Sequence, residues 1–312
     1  MNYLKDYREG EKFVGTYLCK QKQILKTKAG KTYYSLTLQD KTGTADGKIW
    51  ELNNGIANFE PMDYIHCEGM VTSFQGNLQM NISRVRISDE GEYDPADYVP
   101  CTNKDVGEMF SRILKYVASV QNKYLRKILE MYFVENKEFV DAFKKHSAAK
   151  SVHHGFMGGL LEHTLSVTDM CQYFAEHYPM IHRDLLITAA LFHDMGKIQE
   201  ISDFPMNDYT DDGQLLGHIY IGARCMENAT AQIPNFPPKL KNELVHCILA
   251  HHGKMEFGSP KVPAIMEAMA LHMADNADAK LQTLTEVFTQ AGDNMGWLGF
   301  NRMFESNLRK TS

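Results

Sequence analysis

Several common sequence signatures are missing from this 312-residue chain, and each absence excludes a kind of site or a class of protein. The six cysteines include no Cys-x-x-Cys pair, so neither a zinc ribbon nor a dithiol redox motif is indicated. No apolar run approaches the length of a membrane span, and the segment that begins Met1-Asn2-Tyr3 lacks the apolar core of a signal peptide. We therefore expect a cytoplasmic protein with no membrane association.

Charged residues and histidines are distributed unevenly along the chain. The formal net charge is −6, which argues against a wholly basic nucleic-acid-binding protein. Up to residue 90, twelve basic residues nearly balance eleven acidic ones, so the acidic excess belongs to the remainder. His66 is the only histidine before residue 100, and the other twelve follow it. These differences predict two regions with different chemistry.

The first region has the alternating pattern of short strands. β-branched and aromatic residues are frequent between residues 12 and 87, and turns that contain glycine interrupt them. We predict strands at 13–26, 32–39, 43–50, 64–73 and 78–87, and a short helix at 53–59. Five strands with a helix in that position indicate an OB-fold β-barrel over residues 1–90.

The pattern changes after residues 91–103, which contain Pro95 and Pro100 and are interpreted as a linker. From residue 104 onward, apolar residues recur at spacings of three and four, which predicts helices. These are expected at 104–119, 121–133, 136–146, 159–177, 183–195, 214–231, 239–251 and 262–280. The expected fold is therefore a five-stranded barrel followed by an all-α bundle over residues 104–312.

Histidines and aspartates of the helical region form a candidate metal site. Imidazoles together with carboxylates suit Mn, Fe, Zn or Co, whereas an all-oxygen set favours Mg or Ca. The candidate ligands are His163, His193, Asp194, His218, His251, His252 and Asp275. Asp194 follows an apolar segment, where a buried carboxylate is costly unless a cation compensates it. Whether His251 and His252 both reach a metal stays open, because neighbours on a helix point about 100° apart.

The ordered series His163, His193-Asp194, Asp275 resembles the HD phosphohydrolase superfamily, over most of residues 150–280. This resemblance implies hydrolysis of a phosphoester by metal-activated water, with Asp194 at the centre of catalysis. It also implies an all-α HD domain. A single His-Asp dipeptide is weak as a signal, whereas four ligands in the same order are specific.

Further residues match the additional ligands of binuclear members of the superfamily. They are His218, in Leu-Gly-His-Ile, and the pair His251-His252. This match indicates a two-metal site. Asp194 is expected to bridge one group of His163, His193 and Asp275 and a second group of His218, His251 and His252. Candidates for holding the substrate phosphate are Lys197, His153 and His154.

The predicted barrel carries candidate contacts for a nucleic acid. Lys20, Lys22, Lys26, Lys28 and Lys31 form a positive segment without acidic residues. Alternation leaves Tyr33 on the face opposite Tyr34, and puts Lys48 and Trp50 on the face opposite Ile49. Exposed aromatic rings beside lysines suit a single strand, because every base offers a stacking surface. Aromatic residues of a small barrel also serve often as core.

The stretch from Gly30 to Gly43 is similar to nucleic-acid-binding OB-folds, and the whole chain resembles the YhaM-type 3′-to-5′ exoribonucleases of bacteria. His153-His154-Gly155-Phe156-Met157-Gly158-Gly159 is the most family-like segment. The resemblance implies manganese or a similar divalent ion, with Fe, Co and Zn as alternatives and one or two ions bound. It also implies stepwise release of nucleoside 5′-monophosphates from the 3′ end of single-stranded RNA, with single-stranded DNA as a further substrate.

Two other functions stay open on the sequence. The first is an HD-type nucleotide or cyclic-nucleotide phosphohydrolase, although no Gly-Tyr-Pro element occurs and Met195-Gly196-Lys197 stands where alarmone hydrolases carry Glu-Asp. The second is a nucleic-acid-binding adaptor with a degenerate metal domain, which the complete ligand set argues against. The apolar segment around Trp297 and Phe300 is expected to pack on the core or on a partner in a homo-oligomer.

Overall fold

Alternating apolar and polar residues build five strands in the N-terminal unit of the computed structural model, which describes residues 2–53, 55–74, 76–150 and 154–311. The strands are β1 (Lys12–Lys26), β2 (Thr32–Asp40), β3 (Gly43–Ile49), β4 (Tyr64–Phe74) and β5 (Asn77–Ile87). They close into a barrel in the order β1-β2-β3-β5-β4, with a parallel β3–β5 pair and four antiparallel pairs. Closure pairs the strand edges and confirms the predicted five-stranded OB-fold architecture.

Side-chain alternation along the strands separates the barrel core from the barrel surface. Leu36 and Leu38 of β2 and Ile49 of β3 point inward and are buried, together with Tyr17 of β1. The two-residue period of a strand therefore leaves the intervening residues on the outer surface.

The predicted helix at 53–59 is wrong for the described residues of that segment. Ile56 instead forms a parallel bridge with Val85 of β5. The Ala57 backbone N–H donates to the Val85 carbonyl at 2.9 Å, and the Val85 N–H donates to the Gly55 carbonyl at 2.9 Å. These bonds give the polar backbone groups partners in the sheet, so that a helix is not needed to satisfy them.

Residues after β5 also contribute to the N-terminal unit, which comprises Met1–Cys101 with Phe204–Met206. Tyr93, from the segment interpreted as a linker, stacks on Tyr64 with ring centroids 4.1 Å apart. Asp97 accepts hydrogen bonds from Lys41 Nζ at 2.7 Å and from the Tyr3 hydroxyl at 2.9 Å. The prolines of this segment therefore did not reveal that Tyr93 and Asp97 pack on the barrel.

The second unit, Thr102–Asp203 with Asn207–Ser312, is mainly helical. Its helices are α1 (Val106–Ser119), α2 (Lys123–Glu130), α3 (Lys137–Lys145), α4 (Gly159–His177), α5 (Arg183–Phe192), α6 (Lys197–Glu200), α7 (Asp211–Ala231), α8 (Pro238–Ala250) and α9 (Met266–Gln290). Every residue from Leu185 to Phe192 is buried, so α5 lies in the core of the bundle. None of the helices in the described ranges is long and apolar enough to cross a membrane.

A short hairpin follows the helices, and the sequence did not predict it. Its strands are β6 (Trp297–Asn301) and β7 (Ser306–Arg309), which pair in antiparallel fashion. Trp297 and Phe300 are 68% and 67% exposed, so neither ring packs on the core. Packing of this hairpin on a partner stays a prediction.

Candidate metal centre

The buried helix α5 ends where the site begins. After Phe192 the chain leaves the helix, and His193 to Gly196 form a turn that leads into α6. Gly196 has a φ of −64°, and its Cβ would lie 2.1 Å from the His218 carbonyl oxygen. Glycine is therefore needed for the close approach of α6 to α7.

One group of candidate ligands surrounds the Nε2 atom of His163 on α4. This atom lies 3.2 Å from His193 Nε2 and 3.2 Å from Asp275 Oδ1, the latter on α9. It also lies 3.3 Å from Asp194 Oδ2. Ligand atoms about 2.1 Å from a shared ion lie roughly 3–3.5 Å from one another. The spacing therefore suits one cation.

A second group lies on the other side of Asp194. His218, His251 and His252 offer ligand atoms within 4.8 Å of one another. Asp194 Oδ1 lies 3.5 Å from His218 Nε2 and 3.6 Å from His251 Nε2. These three buried atoms have no hydrogen-bond partner within the described segments. Because buried polar atoms are normally paired, three that face one another fit a divalent cation between them.

The adjacent histidines 251 and 252 both offer ligand atoms to the second group. α8 ends at Ala250, and the two histidines form the turn that follows it. Their ring centroids are 4.4 Å apart, and the His252 ring is 5.1 Å from that of His218. Both rings therefore lie beside His218, although the His251 backbone keeps the α-helical angles φ −65° and ψ −29°.

Each of the five imidazoles is held through its Nδ1 atom. His193, His251 and His252 have Nδ1 at 2.8, 2.7 and 2.8 Å from the backbone carbonyls of Ala190, Ile248 and Phe257. His163 and His218 have Nδ1 at 2.7 and 2.9 Å from carboxylate oxygens of Asp278 and Glu200. An acceptor at Nδ1 keeps the proton there and leaves the Nε2 lone pair for a metal.

Burial sets the protonation of two of the imidazoles. It lowers the pKa of His193 to about 4, and burial with the neighbouring His251 and His218 lowers the pKa of His252 to about 4. Both rings are thus neutral near pH 7, as metal ligands must be. Burial also acts against protonation of His163, but its hydrogen bonds to carboxylates outweigh burial and raise its pKa.

The structure places two of the three candidate phosphate-binding residues beside the ligands. Lys197 Nζ lies 2.7 Å from Asp194 Oδ2, and the lysine side chain is 12% exposed. His154 is buried, and its Nε2 lies 2.9 Å from Asp278 Oδ2. The third candidate, His153, lies outside the described residues.

The candidate nucleic-acid contacts Tyr33, Lys48 and Trp50 of the barrel each have a side-chain partner in the structure. Tyr33 and Trp50 stack on each other with centroids 4.6 Å apart, and Trp50 is 39% exposed. Trp50 Nε1 donates to Asn81 at 3.0 Å. Lys48 Nζ donates to Ser35 at 2.8 Å and lies 2.5 Å from Asp46. Trp50 is thus partly exposed beside Tyr33, whereas the charge of Lys48 is already partly balanced by Asp46.

One lysine of the positive segment, Lys22, packs on aromatic rings. Lys22 Nζ lies over the rings of Tyr34 and Phe59, 4.9 and 4.5 Å from their centroids, and donates to the Phe59 carbonyl. Lys20, Lys26, Lys28 and Lys31 are exposed. A β-bulge between Cys19 and Gln21 shifts the register of β1 just before Lys22.

Two residues that contact the ligands were missed by sequence reasoning. Asp278 follows Asp275 by three positions, so helical spacing places both on one face of α9, and this spacing was a usable signal. Glu200 is 18 positions from His218, and only the packing of α6 on α7 joins them. Nothing in the sequence indicates the second contact.

Comparisons with known proteins identify a domain family and similar proteins. The family model of the HD domain matches residues 160–280, a range that contains all seven candidate ligands. Proteins named 3′-5′ exoribonuclease YhaM are similar to this chain over most of their length. The protein from Geobacillus sp. (strain WCH70) is 32% identical over 82% of this chain and 78% of its own length. The protein from Bacillus subtilis (strain 168) is 31% identical over 82% of this chain and 81% of its own length. The protein from Listeria innocua serovar 6a is 32% identical over 91% of this chain and 90% of its own length.

Among solved structures, the second OB-fold domain of replication protein A from Methanococcus maripaludis aligns with 29% of this chain and 98% of its own. The identity is 20% and the TM-score is 0.24.

Proposed function

This chain belongs to the YhaM family of 3′-5′ exoribonucleases, and we propose that it removes nucleotides one at a time from the 3′ end of single-stranded RNA at the metal centre of its helical unit. The products are nucleoside 5′-monophosphates, and single-stranded DNA is a second substrate. The barrel unit binds the strand. The HD domain holds a divalent metal, for which the His and Asp groups provide the ligands.

The observation that carries this proposal is the position of Asp194 between two sets of imidazoles. Its Oδ2 faces His163 and His193, and its Oδ1 faces the unpaired Nε2 atoms of His218 and His251. We propose that Asp194 bridges two ions, preferably manganese. Divalent ions bound in this way lower the pKa of water and neutralise charge on a phosphoryl oxygen.

Lys197 and the histidines at the entry to α4 orient the substrate in this proposal. The Lys197 ammonium has three N–H donors, and Asp194 Oδ2 accepts one of them. Burial acts to lower the pKa of Lys197, but the charge of Asp194 outweighs burial and raises it, so the side chain stays cationic. A fixed cation beside the centre attracts the scissile phosphate. His153 and His154 are proposed to hold a neighbouring phosphate.

Tyr33, Trp50 and Lys48 are the proposed strand-binding residues of the barrel. Replacing a stacking ring typically weakens single-strand binding by about 1–3 kcal/mol. We expect Trp50→Ala to weaken binding of metal-free protein to a labelled oligoribonucleotide by about that amount, measured by fluorescence anisotropy. Tyr173→Ala, at an exposed ring on α4, is the matched control. Equal affinities of the two variants would exclude Trp50 from the strand-binding surface.

The catalytic proposal is tested with end-labelled RNA in the presence of manganese. The wild-type protein should shorten 5′-labelled RNA to a ladder, whereas 3′-labelled RNA should release its label as a mononucleotide from the start. Asp194→Ala should abolish both results. Asp169→Asn, which changes a carboxylate on α4 that contacts Arg112 and Tyr116, should leave them intact.

Other outcomes of this assay contradict the proposal. RNA that is bound but stays intact would indicate a binding protein without nuclease activity. Unchanged RNA together with hydrolysis of a free nucleotide would indicate a small-molecule phosphohydrolase. Parallel reactions with iron, cobalt, zinc or magnesium test the preference for manganese.

We also propose a cytoplasmic location. All six cysteines lie in described segments and carry free thiols. Reducing compartments keep thiols in this state. Detection of the protein in a membrane or secreted fraction would contradict this.

A further inference from the structure

The two groups of imidazoles share one feature that neither motif nor family similarity assigns. In each group, a single histidine has its Nδ1 atom on a carboxylate, and the others have Nδ1 on backbone carbonyls. His163 contacts Asp278 in the first group, and His218 contacts Glu200 in the second. A carboxylate acceptor forms a stronger, charge-assisted hydrogen bond than a carbonyl does. It therefore fixes the ring more firmly and makes Nε2 a better donor to a metal.

Asp278 lies one turn beyond Asp275 on α9. Its Oδ2 accepts from His163 Nδ1 at 2.7 Å and from His154 Nε2 at 2.9 Å, and its Oδ1 accepts from the Ser166 hydroxyl. Burial acts to raise the pKa of Asp278, but the hydrogen bonds outweigh burial and lower it well below its usual range. The carboxylate is thus charged, buried and held from three directions.

Glu200 is the last residue of α6 and lies against an interruption in α7. Gly217 has φ 72° and ψ 153°, which breaks the helix just before His218. The break frees the His218 backbone N–H, and Glu200 Oε1 accepts from both this group and His218 Nδ1, each at 2.9 Å. A left-handed φ of this kind suits glycine. The carboxylate therefore caps the second half of α7 and orients the ring that begins it.

We propose that Asp278 and Glu200 are positioning residues, one for each of two metal ions. Asp278 sets the affinity of the ion between His163, His193 and Asp275, and Glu200 sets that of the ion between His218, His251 and His252. This inference depends on the proposed two-ion centre. Loss of an outer carboxylate of this kind typically weakens metal binding by about 10–100-fold.

The test counts manganese ions bound to the full-length protein by equilibrium dialysis and elemental analysis. Asp278→Asn and Glu200→Gln each preserve side-chain size and remove the charge. Each should weaken the binding of one ion by about 10–100-fold and leave the other unchanged, so that the retained ion shows that the site is still folded. Asp169→Asn is the control for a carboxylate-to-amide change on the same unit and should bind as the wild type does.

A second substitution identifies which ion each carboxylate serves. Adding His218→Ala to Glu200→Gln should cause no further loss of ions, because both changes affect the same group. Adding it to Asp278→Asn should remove the remaining ion. In activity assays, the manganese concentration for half-maximal activity should rise in each single variant.

The outcomes separate this inference from the proposed function. Wild-type protein that binds a single ion would overturn the two-ion centre itself. Two ions bound with wild-type affinity in both variants would overturn the positioning roles and leave the two-ion centre standing. Loss of both ions from either single variant, with an unchanged circular dichroism spectrum, would overturn the assignment of one carboxylate to each ion.

Discussion

The buried pair of Asp194 and Lys197 permits a quantitative test of how the metal-free site is stabilised. The two charged atoms are 2.7 Å apart, and the side chains are 2% and 12% exposed. Asp194→Ala leaves the Lys197 ammonium buried without its carboxylate. Removal of one partner from a buried ion pair typically costs about 3–5 kcal/mol, because the remaining charge is not solvated. We expect the free energy of unfolding of the metal-free protein to fall by about that amount.

Replacing both partners separates this cause from a general loss of packing. In Asp194→Ala with Lys197→Met, no unpaired lysine charge stays in the core. Replacing a buried ion pair with apolar side chains is often neutral or stabilising. We therefore expect the double variant to recover most of the lost free energy and to unfold within about 1–2 kcal/mol of the wild type.

The measurement is urea unfolding in the presence of a chelator near neutral pH, followed by the helical signal in circular dichroism. This signal reports mainly on the second unit, which contains the nine helices named above. The slope of the transition should be equal in all variants for the free energies to be compared. If the single and double variants unfold at the same urea concentration, the unpaired charge of Lys197 is not the source of the loss.

Two further predictions concern helix contact and protonation. Gly196→Ala places a Cβ 2.1 Å from a backbone carbonyl of α7, so it should destabilise the protein by about 1–3 kcal/mol and weaken metal binding. Gly222→Ala is the control, because its Cβ meets ordinary contacts at 3.5 Å or more, and it should preserve stability and metal binding. Urea unfolding measures the stability, and dialysis measures the metal binding. The pKa of His252 is about 4 in the fold and about 6.5 in an unfolded chain, so the unfolded state binds the extra proton between these values. Stability of the metal-free protein should therefore fall as pH decreases from about 6.5 to about 4, and His252→Gln should lessen this fall.

Each of these predictions has a clear contrary result. Gly196→Ala that binds metal as tightly as Gly222→Ala would show that α6 and α7 separate without cost. Urea midpoints that fall equally with pH in the wild type and in His252→Gln would show that another group causes the pH dependence.

Local periodicity was sufficient to predict most of the secondary structure. The alternation placed Ile49 on the face opposite Trp50, since a strand has a period of two residues, and the structure buries Ile49 and exposes Trp50. The helical spacing after residue 104 identified the bundle in the same way. Long-range pairing was not predictable: Ile56 joins Val85 across the barrel, and no local pattern near residue 56 indicates a strand partner.

The sequence by itself determined which side chains could serve as ligands, because the residue types and their order along the chain carry that chemistry. The tertiary structure decided how they are grouped: Asp194 faces two sets of histidines because α5 and α8 both end at the site. The tertiary structure also decided which carboxylates contact the histidine ligands. His218 contacts Glu200 only because Gly196 lets α6 approach α7 and because Gly217 interrupts α7. Such contacts depend on the packing of distant segments, which short-range patterns in a sequence do not encode.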